Sequence, residues 1–90
     1  MNLKDIRTDV LAALHSIAPE VDADELRPDR PLRDQVDLDS MDWLNVIVGL
    51  HHRFDVDIPE ADYARLVTLD DIVAYLAARL RERAMGGSPA

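Results

Sequence analysis

A lone serine, Ser40, sits between Asp39 and Met41 in the stretch VDLDSMDWLNVIVGLHHRF, residues 36–54. Its hydroxyl is the first group to test for chemistry. A serine nucleophile needs a base within hydrogen-bond reach and commonly an elbow of the G-x-S-x-G type. Neither is present. His15 belongs to an earlier segment, and His51 and His52 lie about three helical turns further on, ~16 Å at 1.5 Å per residue. These two adjacent histidines point to different faces of a helix, so they make a poor metal pair. Cysteine is absent, which removes thiolate nucleophiles, thiolate metal sites and disulfides. No catalytic residue and no metal ligand is assigned, and a hydrolase using Ser40 finds no activating group. Two roles suit the serine better. Serine is among the best helix N-caps. A helix N-terminus also stabilises a bound or attached phosphate through its free N–H groups and its positive dipole end. Asp37 and Asp39 would repel such an anion unless a divalent ion or an enzyme's basic groups stand between them.

The elements that must position Ser40 follow from periodicity. Leu3, Ile6, Val10, Leu11, Leu14 and Ile17 recur at helical spacing behind Asn2, a good N-cap, and Pro19 closes this first helix. Residues 18–39 show no sustained period and contain prolines 19, 28 and 31. They read as a long loop anchored by Val21, Leu26, Leu32, Val36 and Leu38, with a short helical turn near Asp22–Leu26. A loop of this length in so small a domain points to function. The second helix runs from Ser40 to Phe54 and is ended by DVDIP, whose β-branched residues and pre-proline Ile58 favour extended backbone. Pro59 suits the first position of a short third helix, PEADYARL. Thr68 and Asp71 form a capping-box pattern that opens a fourth, with Leu69, Ile72, Val73, Leu76 and Leu80 as its buried stripe. Arg79, Arg81 and Arg83 stand where that helix's dipole favours cations. The expected fold is all-α: a small four-helix bundle, three longer helices plus a short third, with a long loop between the first two. Residues 1–84 form the domain, and 85–90, with Gly86 and Gly87, form a frayed tail.

The second helix carries two apolar stripes. Trp43, Val46, Ile47, Leu50 and Phe54 share one arc and are expected to face the core. Met41, Leu44 and Val48 recur at i, i+3 and i+7 on another. One helix of a small bundle does not easily bury both. The outer stripe either packs beneath the long loop or forms a patch for another protein, with methionine supplying adaptable packing.

Composition narrows the partners. Eighteen acidic against ten basic residues give a formal charge of −8, which disfavours nucleic acid and suits partners with basic surfaces. With 48% hydrophobic residues the chain is globular rather than disordered. No apolar run is long enough to insert in a membrane. The first ten residues mix charge with apolar side chains, unlike a signal peptide, so a cytoplasmic monomer is the expectation.

The segment DSMDWLNVIVGLHHRFDVDIP resembles the phosphopantetheine attachment region of acyl carrier proteins. The family's Asp-Ser-Leu core, the Phe-Asp about fourteen residues on and the following Ile-Pro have counterparts in Asp39-Ser40-Met41, Phe54-Asp55 and Ile58-Pro59. The likeness continues through Thr68 and Tyr75-Leu76 and covers essentially residues 3–82. It implies a carrier rather than an enzyme. A phosphopantetheinyl transferase moves 4'-phosphopantetheine from coenzyme A onto Ser40, and the arm's thiol then holds an acyl group as a thioester. The reactive sulfur thus arrives with the cofactor. By the same resemblance Asp39 serves transferase recognition, and Met41, Leu44 and Val48 contact acyl-loading and acyl-accepting enzymes. Trp43, Ile47 and Leu50 line an acyl cleft. An unmodified helical interaction module with the same fold is the alternative.

Several residues depart from the family pattern. Asp37 replaces a usual glycine, which predicts a different backbone path into the helix. Met41 for leucine conserves volume. The helix after Ser40 is strongly acidic in carriers of fatty acid synthesis, whereas residues 40–54 here hold one acid and one base, with Asn45, His51, His52 and Arg53 at the corresponding positions. The acidity lies in residues 20–39, with eight acids and three bases, and in 55–71, with six acids and one base. This redistribution points to a dedicated pathway, with polyketide-type, lipid-modifying, aminoacyl and unusual long-chain systems all open. Trp43 stands where the family more often has a small residue. It is either a plain core side chain or one that reshapes the cleft.

Overall fold

The computed structural model describes residues 2–85, the side chain of Met85 excepted. Three long helices enclose the core: α1 (Leu3–Ile17), α3 (Ser40–Phe54) and α4 (Leu69–Met85). A four-residue helix, α2 (Leu32–Gln35), interrupts the long loop, and a 3-10 helix (Glu60–Arg65) joins α3 to α4. The expected all-helical bundle is present, with α2 added and the short third helix wound as 3-10. Residues 22–26, expected as a helical turn, form hydrogen-bonded turns instead, with the Asp22 and Ala23 carbonyls accepting from Glu25 and Leu26. No helix among the described residues is long and apolar enough to cross a membrane. The expected tail over residues 85–90 lies outside the described residues, save for the Met85 backbone that ends α4.

α1 begins where Asn2 accepts the Asp5 N–H at 2.9 Å, satisfying one of the donors a helix start leaves free. Ile6, Val10 and Leu14 are buried against α3 and α4, whereas Leu3, expected in this stripe, is the first residue of α1 and is exposed. In α4 the capping box is reciprocal: Thr68 Oγ1 accepts from Asp71 N and Asp71 Oδ2 from Thr68 N. Leu69, Ile72 and Leu76 are buried as expected, Val73 and Leu80 partly so, and Tyr75 joins them.

The long loop is held by specific bonds rather than by periodic packing. The Gln35 amide donates to the Arg27 and Arg30 carbonyls and accepts from Arg27 N–H, closing the turn ahead of α2. Leu32 N–H donates to Val67 O, and Asp70 N–H to Pro28 O, tying the loop to the start of α4. Leu26, Leu32, Val36 and Leu38 are buried under it. Leu32 is core and also starts α2, a four-residue helix too short to show a 3.6-residue period.

The other end is fixed by arginines. Asp55 ends α3 in the left-handed region, φ 54° and ψ 47°, a conformation aspartate tolerates better than most residues. Arg83 of α4 donates to the Asp55 carbonyl at 2.7 Å and to its carboxylate at 2.9 Å. Arg83 stands in the last turn of α4, as expected, and in addition bonds the end of α3. Pro59 precedes the 3-10 helix as its cap residue, with ψ 147°, rather than occupying its first position. Asp62 on that helix accepts from Tyr75 Oη at 2.6 Å and from Arg79 at 2.9 Å, which staples it to α4.

The Tyr75 hydroxyl holds the Asp62 carboxyl below its ordinary value of 3.8; burial opposes this, and Arg79 reinforces it. A depressed folded-state pKa contributes stability that is present above the unfolded value and lost as pH falls through the folded one. The melting temperature of Asp62→Asn should lie below that of the native chain at neutral pH. The gap should close below about pH 4 as Asp62 is protonated. Parallel melting curves of the two chains from pH 7 to pH 2.5 would remove the ionic part of this staple.

Candidate functional site

The helix that presents Ser40 is capped by its neighbours. Asp39, not Ser40, is the N-cap of α3, with extended backbone (φ −81°, ψ −178°). Asp39 Oδ1 accepts from Asp42 N at 2.8 Å, and the Asp42 carboxylate accepts in return from Asp39 N at 3.4 Å. The expectation that Ser40 serves as cap is therefore corrected. The pattern D-x-x-D over 39–42 carried the signal, as T-x-x-D did for α4. The anticipated change of backbone at Asp37 does not involve a left-handed residue, since Asp55 is the sole non-glycine with positive φ among the described residues. An aspartate is accommodated there without strain.

Freed of capping, Ser40 is the first residue of α3 and is exposed. Its hydroxyl has no hydrogen-bond partner among the described residues, and neither do the N–H groups of Ser40 and Met41. Asp39 Oδ2 is likewise uncommitted. The open hydroxyl therefore stands at the positive end of a four-turn helix, with two donors beside it and three carboxylates, Asp37, Asp39 and Asp42, nearby in sequence. The carboxylates disfavour a free anion. A covalently attached phosphate would not be lost by dissociation, and the N–H groups of a helix N-terminus stabilise such a charge.

The two stripes of α3 separate as the wheel predicts. Trp43, Val46, Ile47, Leu50 and Phe54 are buried. Met41, Leu44 and Val48 are 67%, 41% and 48% exposed and do not pack beneath the loop. Asn45 and His52 share their face within about 100° of arc and are also exposed. No carboxylate stands among these five.

Two cavities lie between α3 and the 3-10 helix. One of about 400 Å³ is bordered by Ile47, Val48, His51, Ile58, Pro59 and Tyr63. The other, about 210 Å³, is bordered by Pro31, Arg33, Trp43, Tyr63, Leu66 and Val67. Of the residues expected to line a cleft, Trp43 and Ile47 each border one of these cavities. Leu50, with 0% exposure, borders neither. His51 is held by an Nδ1 contact of 2.8 Å to the Val56 carbonyl, so its ring is committed to closing the turn after α3. Tyr63 borders both cavities. Sequence reasoning passed over it, because one aromatic in a six-residue 3-10 helix shows no period. No group of three or more His, Asp or Glu residues suited to a metal ion occurs among the described residues.

Comparison with known proteins meets this geometry. A family model described as "Phosphopantetheine attachment site" matches residues 8–76, which contain the whole of α3. An acyl carrier protein of Helicobacter hepaticus is 31% identical over 58 residues, covering 64% of this chain and 76% of its own length. A meromycolate extension acyl carrier protein of Mycolicibacterium aurum is 32% identical over 88 residues, covering 83% and 91%. A solution structure of a candidate acyl carrier protein from Anaplasma phagocytophilum superposes with a TM-score of 0.76 at 27% identity, covering 87% of this chain and 91% of that one. Fold and matched model define the class: a helical carrier domain whose prosthetic group is 4'-phosphopantetheine. The chain belongs to the acyl carrier protein family. Acyl carrier proteins are carriers rather than enzymes.

Proposed function

We propose that Ser40 carries the 4'-phosphopantetheine arm and that the protein presents acyl groups on it to the enzymes of a dedicated lipid or secondary-metabolite pathway. The observation that carries this reading is the exposed Ser40 hydroxyl, free of structural duty at the start of α3 and inside the matched attachment segment. When bound, the arm supplies a thiol that holds an acyl group as a thioester. The chain's own residues present the acceptor. Ser40 Oγ would give its proton to a base of the transferase and attack the β-phosphorus of the coenzyme A pyrophosphate. The bond to 3',5'-ADP breaks, and that nucleotide leaves. A phosphopantetheinyl transferase directs this step, with the uncommitted oxygen of Asp39 available to its complex. Asp39 and Asp42 keep the helix capped while Ser40 is occupied.

Met41, Leu44 and Val48 are the partner surface in this reading. An exposed apolar stripe without carboxylates docks through burial more than through charge. Enzymes that recognise a carrier by an acidic helix find no such pattern on this face, which favours dedicated acyl-loading and acyl-accepting partners. Trp43 and Ile47 form the walls of the acyl cleft, with Leu50 packed behind them. The carrier acts as a cytoplasmic monomer.

Incubation with coenzyme A and a broad-specificity phosphopantetheinyl transferase tests the proposal by intact mass. One phosphopantetheinyl increment supports it. An unmodified mass with several transferases leaves an interaction module of the same fold. Met41→Ala should change folding stability by no more than about 0.5 kcal/mol, as an exposed substitution. It should lower transferase kcat/KM by about tenfold, the scale of truncating an anchor at an interface. A large fall in melting temperature would instead make the outer stripe part of the core.

A further inference from the structure

The two cavities along α3 are not one trough. Trp43 borders the smaller and Ile47 the larger. These residues are one helical turn apart, about 6 Å along the axis, and Tyr63 from the facing 3-10 helix borders both. The smaller cavity is the one nearer Ser40, since Trp43 follows it by three residues. Its lining is mostly apolar: Pro31, Leu66, Val67, Ala64 and the Trp43 indole, with Arg33 at the edge. Trp43 is 8% exposed. Its Nε1–H has no acceptor among the described residues, yet no buried polar side-chain atom among them lacks a partner. The indole N–H therefore retains access to solvent-sized space. Tyr63 differs from Tyr75 in having no hydrogen bond to its hydroxyl among the described residues, so packing places its ring.

We infer that Tyr63 is a specificity-determining residue, a partition that limits the acyl chain this carrier shelters to the compartment beside Trp43. The inference rests on Ser40 being the attachment site. Apolar cavities of about 150 Å³ take a benzene-sized guest of six carbons. In proportion, 210 Å³ holds roughly eight carbons, and removal of the partition would join it to the 400 Å³ space, room enough for a chain of about sixteen carbons or more. Longer chains meet the Tyr63 ring and stay outside, available to a partner enzyme and to water.

Trp43 is the sole tryptophan, so its emission reports on the compartment it borders. Saturated acyl-phosphopantetheine groups of four to sixteen carbons, transferred from the corresponding acyl-coenzyme A, provide the series. Intact mass confirms each loading before fluorescence is read. In the native chain the emission shift should grow to about eight carbons and then level off. Tyr63→Ala should extend the growth to about sixteen, and Tyr63→Phe should follow the native curve. A native response that keeps rising to sixteen carbons, or coincident curves for the native chain and a folded Tyr63→Ala, would overturn the partition. The native series alone decides the matter if Tyr63→Ala does not fold. Absence of the acyl-phosphopantetheinyl increment would overturn the attachment reading itself, and with it the inference.

Discussion

Ser40→Ala is expected to abolish phosphopantetheinylation completely while leaving the domain as stable as before. The two halves of this result have separate origins. Loading is lost because no other atom can replace the missing Oγ in the bond to phosphorus. Stability is kept because the side chain makes no hydrogen bond among the described residues, and the start of α3 is capped by Asp39 and Asp42. Alanine is also the best helix former, so the first position of α3 loses nothing by the change. The substitution should move the unfolding free energy by no more than about 0.5 kcal/mol. Removal of a true N-cap costs about 0.5–2 kcal/mol, so a denaturant midpoint shifted by that much would mean that Ser40 shares the capping after all. Intact mass and urea denaturation of the same preparation read both halves.

The largest effect on stability is expected from Leu50→Ala, roughly 2–5 kcal/mol. Leu50 is fully buried in the middle of α3, the helix that packs on α1 and neighbours the 3-10 helix. Truncation forfeits the burial of its branched end and leaves a void that rigid helices on both sides cannot close. In a domain whose total stability is on the order of 5–15 kcal/mol, such a loss brings the folded state close to its limit. The same experiment separates two roles for this residue. A side chain lining an open cleft already borders space, so its truncation enlarges a cavity that solvent can enter. A side chain behind the cleft leaves a dry void. A urea midpoint lowered by less than about 1 kcal/mol of equivalent free energy would favour the first role.

The sequence made much of this architecture legible because periodic signals and cap chemistry agreed. α1 and α3 repeat their apolar residues at helical spacing, and Asn2 and Thr68 are capping residues whose bonds form as expected. The two stripes of α3 were separable because 3.6-residue geometry assigns each side chain a direction before any neighbour is known. What escaped was short or relational. α2 spans a single turn, too little for a period, and depends on Gln35 closing the preceding loop through backbone carbonyls eight and five residues earlier. The placement of Arg83 on the end of α3 requires two elements 28 residues apart to meet, which no local pattern encodes. At Ser40 the position was legible, but the capping role belongs to its neighbour Asp39. Serine and aspartate are both strong caps, and adjacent candidates are told apart only by backbone dihedrals. Tyr63 illustrates the same limit, because its meaning lies in what faces it across a groove.

The capping box at Asp39 and Asp42 has a consequence for the working life of the domain. A residue that both held a helix together and served as a chemical handle would couple every turnover to a structural fluctuation. Here two carboxylates hold the helix start, and the Ser40 side chain takes no part in it. On the proposed reading, the prosthetic group can come and go without uncapping α3, and a partner enzyme meets a helix start whose cap does not depend on the arm.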